Sequence, residues 1–311
     1  MTTALFYHDD CLDHVNPPGH PEQVARLDRI REALANPDYA PLDRREAPIC
    51  DDASILLAHP QSHISALEQA APEQGFSQID PDTGMSLGSL IAARRAVGAN
   101  VAAVDAVLSG DVTNAFVACR PPGHHAEKTR AMGFCLFSNV AIAALHAIRN
   151  HGLSRVAVLD FDVHHGNGTQ DVLWDVPEVR FVSSHQMPLY PGTGAPQERG
   201  AHGQIMNAPL GPGTGGEDMR LLWGNRVIPW IEDWEPELIL VSAGFDAHRD
   251  DPLANLNWTT EDFGWLTDKL CALATRCCKG RVVSTLEGGY DLDALAESAS
   301  LHVKTLMEHG A

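Results

Sequence analysis

The stretch Arg155-Val-Ala-Val-Leu-Asp-Phe-Asp-Val-His-His-Gly-Asn-Gly-Thr169 limits what this chain can fold into more than any other. Val156 to Leu159 is an apolar, β-branched run, which reads as a strand covered on both faces. Asp160, Asp162 and His164 follow at its carboxyl end, and alternation along an extended backbone puts the three on one side. Gly166 and Gly168 break the strand and allow entry into a helix. Ligands of open α/β sheets gather outside the carboxyl ends of strands. Two carboxylates and an imidazole there read as half of a divalent-metal site. An Asp-rich turn with a histidine cap is the plainer alternative. It is disfavoured because polar groups this dense at a buried strand end are costly unless paired.

The same pattern recurs along the chain. Leu238 to Ala243 is an apolar run followed by Gly244, Phe245 and Asp246, so Asp246 can reach the crevice that holds Asp162 and His164. Ala115 to Cys119 is a short strand candidate running into Arg120-Pro-Pro-Gly-His-His-Ala126, a stiff loop that carries His124 and His125. Arg281 to Leu286 is a last strand ending in Glu287-Gly-Gly-Tyr290, where the glycines permit a sharp turn and let the Tyr290 hydroxyl project. Ala4 to Tyr7 is expected as a first edge strand and Val179 to Ser183 as another strand.

Helical periodicity covers Glu22 to Leu34, with Val24, Leu27, Ile30 and Leu34 on one face. It also covers Leu87 to Leu108, Asn139 to Asn150, Trp258 to Cys278, and the stretches that start near Gln170 and Leu292. Arg26 falls among helical positions and is expected in a surface salt bridge. Residues Pro72 to Ser86 read as a surface loop with a turn at Asp80-Pro-Asp-Thr-Gly84, of the kind that rims active sites. Leu189 to Gly194 and Gly211 to Gly216 are further loops, and the second lacks the Lys-Ser/Thr of a phosphate loop. Strands alternate with helices from end to end, without a linker. We therefore expect one α/β domain over residues 1–311, a mostly parallel central sheet flanked by helices.

Composition narrows the partners. Twenty-two basic against 41 acidic residues give a formal net charge of -19, which argues against nucleic acid, whose affinity comes from Lys and Arg on phosphates. That balance is compatible with a cationic substrate or simply with solubility. No apolar run reaches the roughly 20 residues of a membrane span, and the N-terminus lacks the features of a signal peptide. Seven cysteines, an odd number without Cys-x-x-Cys spacing, fit free thiols in a reducing cytoplasm. Homo-oligomerisation is left open.

Asp162, His164 and Asp246 offer three N/O ligands, the donor set of a catalytic zinc with an open position for water; Fe2+ suits the same donors. Such an ion polarises a carbonyl and acidifies a bound water. His124 and His125 can serve as general acid and base, and Tyr290 can donate to an oxyanion. Together these describe metal-assisted amide hydrolysis.

The ordered pieces Gly19-His-Pro-Glu22, Arg120-Pro-Pro-Gly-His-His125, Gly133-Phe134-Cys135, Asp160-Phe-Asp-Val-His-His-Gly-Asn167, Pro191-Gly-Thr-Gly194, Ser242-Ala-Gly-Phe-Asp246 and Glu287-Gly-Gly-Tyr290 span nearly the whole chain. In this order they resemble the histone deacetylase family, zinc amidohydrolases of arginase-deacetylase fold. The resemblance implies a three-layer fold and zinc on Asp162, His164 and Asp246. It implies His125 as general base and acid, His124 as its electrostatic partner, Asp160 bracing His124, and Asn167 contacting His125. Class I members carry Asp at the Asn167 position and class II-like members carry Asn, so His125 should be comparatively easy to deprotonate. Tyr290, replaced by His in weakly active vertebrate class II members, is kept. A structural K+ is implied on Asp160, Asp162, His164 and Ser183, and a second such site near Leu173 to Val179.

Gly133 and Phe134, with Tyr190 opposite, are expected to form the walls of a narrow channel suited to a lysine's methylene stem; core aromatics are the plainer alternative, chiefly for Tyr190. In related polyamine deacetylases an acid near the position of Leu253 can read the distal ammonium, so apolar Leu253 favours acyl-lysine in a protein or peptide over a small acetylated amine. Asp80 or Asp82 is expected to rim the mouth, without a choice between them. A non-catalytic acyl-lysine binding module is the remaining class, and the intact His124, His125 and Tyr290 argue against it.

Overall fold

A computed structural model describes residues 2–311. The strands are β1 (Thr3–Tyr7), β2 (Asp43–Glu46), β3 (Phe76–Asp80), β4 (Thr83–Ser86) and β5 (Asn114–Val117), then β6 (Val156–Asp160), β7 (Val179–Gln186), β8 (Ile205–Leu210), β9 (Leu238–Ala243) and β10 (Val282–Leu286). The helices are α1 (Ala25–Ala33), α2 (Asp52–Ile55), α3 (Gln61–Ala70), α4 (Ser89–Ser109) and α5 (Asn139–His151), then α6 (Asn167–Leu173), α7 (Gly216–Leu222), α8 (Ile228–Glu232), α9 (Thr260–Cys278) and α10 (Leu292–Gly310).

Eight strands form one sheet in the order β2-β1-β5-β10-β9-β6-β7-β8, and every neighbouring pair is parallel. Helices cover both faces, giving a single three-layer α/β domain. The central strands β6, β9 and β10 are buried along their whole length, which explains their near-continuous Val, Leu and Ile runs. Each such side chain taken fully out of water contributes roughly 1.5–3 kcal/mol. Their carboxyl ends all open on the same edge of the sheet, and β5 ends there as well.

Four expectations are corrected. The first strand is not an edge, because β2 pairs outside it in register Ala4↔Asp43 to Tyr7↔Glu46. The sequence of β2, Asp-Arg-Arg-Glu, alternates half-buried with exposed residues, and charge on an edge strand blocks further pairing. Residues Pro72 to Ser86 are not an irregular loop: β3 and β4 form an antiparallel hairpin with an irregularity between Gln78 and Asp80. Arg26 is not at the surface but is fully buried. Helix α1 begins at Ala25 rather than Glu22, because Glu22 is fully buried before the helix and paired with Arg120. The opposite edge, β8, contains Pro209 and was not anticipated.

Candidate active site

Strand β6 stops at Asp160, and residues 162–164 form a bend, although Phe161 N–H still donates to Ser242 O of β9 and Val163 O still accepts from Gln186 N–H of β7. Alternation therefore does not carry Asp160, Asp162 and His164 as one stripe. The bend sends Asp160 toward His124 and delivers Asp162 and His164 to a separate cluster with Asp246. His164 Nδ1 lies 3.1 Å from Asp162 Oδ1 and 3.1 Å from Asp246 Oδ2. The ligand atoms of the three residues all fall within 4.8 Å of one another, and all three residues are buried.

The other oxygens of these carboxylates are held by backbone. Gly288 N–H donates to Asp162 Oδ2 at 2.8 Å and Val163 N–H to Asp246 Oδ1 at 2.9 Å. This leaves one oxygen of each acid aimed at the imidazole. Gly288 is required for the approach, since a Cβ there would stand 2.0 Å from Asp246 Oδ2. Four ligands about 2.0–2.1 Å from a tetrahedral zinc sit about 3.3 Å apart, close to the 3.1 Å observed between His164 Nδ1 and each carboxylate oxygen. Two carboxylates and one imidazole, buried together, fit a divalent cation in donor type and spacing.

The electrostatics agree with a site short of positive charge. Burial works against charge on His164, yet its contacts with Asp162 and Asp246 push its pKa up to about 10. Burial and the neighbouring Asp162 carboxylate raise Asp246.

His124 and His125 sit beside this cluster on the loop after β5, with ring centroids 4.0 Å apart. His124 Nδ1 meets Asp160 Oδ2 at 3.0 Å and His125 Nδ1 meets Asn167 Oδ1 at 2.7 Å. Burial disfavours charge on both rings, but the outcomes diverge. For His124 the carboxylates of Asp162 and Asp160 outweigh burial and hold its pKa well above the ordinary imidazole value. For His125 burial is reinforced by His124 and His164 and depresses its pKa well below. Burial also raises Asp160 to about 6, against the pull of His124.

His125, Gly133, Phe134, His164, Tyr190, Leu253 and Tyr290 line one cavity of about 190 Å³, together with Asp82 and Leu189. The expected channel residues are thus brought together with the bottom of the site. Phe134 and Tyr290 meet edge to face at 5.9 Å, and Tyr190 stands edge-on to His125 at 5.2 Å. Tyr190 is 37% exposed and lines the cavity rather than the core. Gly133 adopts φ +56, and a Cβ on it would lie 2.4 Å from the His125 ring. Asp82, not Asp80, reaches the cavity: its Oδ1 accepts from Gly133 N–H at 3.1 Å, whereas Asp80 pairs with Arg130 at 2.6 Å. Ser183 stands in register with Asp160 across β6 and β7, and its hydroxyl is 3.0 Å from His185 Nδ1.

Several residues given no role from sequence complete the site. Glu287 accepts from Gly123 N–H at 2.7 Å and His124 N–H at 3.1 Å, fixing the histidine loop; burial raises its pKa to about 7. Arg26 donates to Gly289 O at 2.6 Å and to Glu287 O at 2.5 Å, and its guanidinium stands 5.0 Å from the centroid of the Tyr290 ring. Asp251 accepts from Tyr290 N–H at 2.7 Å and from Leu253 N–H at 2.9 Å, one carboxylate joining two walls of the cavity. The polar character of Arg26 and Asp251 was legible, but their partners lie 263 and 39 residues away in the chain.

Comparison with known proteins agrees with this geometry. The histone deacetylase domain family matches residues 20–306. Histone deacetylase 14, chloroplastic, from Arabidopsis thaliana is 39% identical over 319 residues, covering 94% of this chain and 74% of its own. The histone deacetylase-like amidohydrolase of Pseudomonas aeruginosa is 37% identical over 310 residues, covering 93% of this chain and 81% of its own. The crystal structure of the HDA15 HD domain superposes with a TM-score of 0.93 at 33% identity, covering 99% of this chain and 88% of that one. Fold, motif order and sequence agree, and the chain belongs to the histone deacetylase family, a family of metal-dependent deacetylases and amidohydrolases.

Proposed function

We propose that residues 1–311 form one catalytic domain that removes acetyl groups from acyl-lysine side chains with a zinc held by Asp162, His164 and Asp246. The observation that carries this reading is the cavity: apolar and aromatic walls from Phe134, Tyr190 and Leu253 lead down to His125, His164 and Tyr290. Such walls suit the methylene stem of a lysine, with the amide at the polar floor. When bound, zinc supplies Lewis acidity toward the amide carbonyl and lowers the pKa of water; Fe2+ is the alternative ion for the same donors.

The chain's own residues do the rest. His125, neutral at rest, accepts a proton at Nε2 from the attacking water and passes it to the departing amine nitrogen. His124, kept cationic by Asp160 and Asp162, stabilises the negative charge that develops beside it. Tyr290 donates its hydroxyl hydrogen bond to the carbonyl oxygen as that oxygen gains charge. Its hydroxyl stays protonated, because burial and the carboxylates of Asp246 and Asp162 raise its pKa despite Arg26. Asn167 orients His125 without giving it an anionic partner. Asp82 stands at the mouth, where it can accept a hydrogen bond from an incoming peptide N–H.

A structural K+ on Asp160, Asp162, His164 and Ser183 belongs to the same reading, and the register of Asp160 with Ser183 supports it. All seven cysteines are free thiols, which fits a reducing cytoplasm. No helix among the described residues is long and apolar enough to cross a membrane.

The test is a comparison of kcat/KM for an acetyl-lysine peptide with that for acetylspermidine and acetylputrescine, with the metal defined. We expect the peptide to be preferred, since apolar Leu253 lines the cavity where an acid would read a second ammonium. Faster turnover of a polyamine moves the assignment to small acetylated amines within the same chemistry.

A further inference from the structure

We propose that Asp105, His146 and His151 form a second metal site, which takes a late first-row transition ion such as Zn2+ or Ni2+ and ties α4 to α5. His146 Nε2 and His151 Nε2 each lie 2.6 Å from the same oxygen, Asp105 Oδ1. The three ligand atoms all fall within 4.8 Å of one another. The two rings stand edge to face with centroids 5.3 Å apart. Both ring nitrogens thus converge on one carboxylate oxygen, which gathers three atoms that can each offer a lone pair.

The elements that carry them are rigid. Asp105 is on the last turns of α4, a helix of 21 residues, and His146 and His151 are on the last turns of α5. These helices pack directly on one another. His146 is only 7% exposed, so its ring is fixed by packing. The side chains of His151 and Asp105 are 30% and 51% exposed, which gives an ion access from solvent. Two imidazoles and one carboxylate form a donor set of intermediate softness, suited to Zn2+, Ni2+ or Cu2+ rather than to Ca2+ or Mg2+. Bonds of about 2.0–2.2 Å to the ion, with ligand atoms about 3.3 Å apart, require the Asp105 carboxylate to withdraw by about 0.7 Å, which its exposure permits. Each ring moves its proton from Nε2 to Nδ1, so the Nε2 lone pair faces the ion.

This cluster is separate from the deacetylase site. Helices α4 and α5 lead into β5 and β6, so their carboxyl ends lie at the amino ends of those strands. Asp162, His164 and Asp246 follow the carboxyl ends of β6 and β9, at the other end of the strands. An ion here would act as a clasp between two helices of one layer.

The experiment is equilibrium dialysis of the holoenzyme against Zn2+, and separately Ni2+, with bound metal counted for wild type, Asp105→Asn and His151→Ala. Both substitutions fall at solvent-accessible side chains away from the catalytic floor. Wild type is expected to bind one equivalent more than either variant, while all three retain the same active-site equivalent and the same deacetylase rate. A hundredfold excess over Kd should also raise the Tm of wild type by about 4 °C relative to the variants. Equal stoichiometry and equal Tm response in the three proteins would mean a hydrogen-bonded cluster only and would overturn the proposal.

Discussion

His125 Nδ1 lies 2.7 Å from Asn167 Oδ1, so the imidazole at the cavity floor is oriented by an amide rather than by a carboxylate. The adjacent His124 has the opposite arrangement, with the Asp160 carboxylate at 3.0 Å. Burial with His124 and His164 nearby holds the pKa of His125 down, and the Asn167 amide offsets this too weakly to charge it, whereas the carboxylates of Asp162 and Asp160 hold that of His124 up although it is buried as well.

Replacing Asn167 with Asp tests that division. An anion at hydrogen-bond distance favours the protonated imidazole and raises its pKa by about one unit or more. The acid limb of the kcat/KM profile should therefore move to higher pH. Asn167 Nδ2 also donates to Glu127 Oε1 at 2.8 Å, so the variant sets two acids together; adding Glu127→Gln should recover lost stability without restoring the original profile. An unmoved acid limb would show that His125 is not the group titrating there.

Removing the Tyr290 hydroxyl in Tyr290→Phe should lower kcat by roughly a hundredfold or more, the usual scale for an oxyanion donor. Metal content should be unchanged, because Tyr290 is not among the clustered ligands. Near-normal turnover in this variant removes Tyr290 from the mechanism.

Arg26 connects that tyrosine to the rest of the site, donating to Gly289 O and Glu287 O on the segment that carries it. Lysine has one ammonium in place of the planar fork and cannot hold both carbonyls in the same geometry. Arg26→Lys should reduce kcat by about tenfold and leave KM within about twofold, the pattern of a misplaced transition-state donor. A rise in KM at constant kcat would place the role of Arg26 in substrate binding.

How much of this is legible in the sequence depends on the kind of signal. The central strands β6 and β9 carry apolar runs and β10 opens on Val282-Val283, and their terminal acids and tyrosine follow directly in the chain; these were legible. The edge strand β2 was not, because Asp43 to Glu46 has no apolar face to report. The hairpin β3–β4 was hidden by Gly, Pro and Asp, which mark turns equally well in loops and hairpins. The burial of Arg26 was invisible because its acceptors are the carbonyls of residues 287 and 289, and a carbonyl has no side-chain identity. The choice of Asp82 over Asp80 turned on hairpin register, which places one acid toward Gly133 and the other toward Arg130.

Away from the cavity, His302 offers a pH test of stability. It is a buried residue of α10 facing α9 and β10, with Nδ1 2.7 Å from Thr267 Oγ1 and Nε2 2.8 Å from Ser284 Oγ. Burial pushes its pKa down to about 3. The unfolded chain takes up this proton near pH 6.5 and the folded chain does not, so folding loses stability as pH falls below that value. Relative to His302→Gln, wild type should lose about 2 kcal/mol between pH 7 and pH 5, measured by urea unfolding. A pH-independent difference would mean that His302 takes up its proton over the same pH range in the folded and the unfolded chain.

The central claim is that Asp162, His164 and Asp246 share one ion and that this ion is needed to hydrolyse the amide. The direct measurement is acetate release from an acetyl-lysine peptide by the chelator-stripped protein as Zn2+ is added back, in parallel with Asp246→Ala. The account predicts that stripping abolishes release, that one equivalent restores it in wild type, and that the variant neither retains that equivalent nor regains activity. Release that persists after stripping, or that is restored equally in Asp246→Ala, would contradict it.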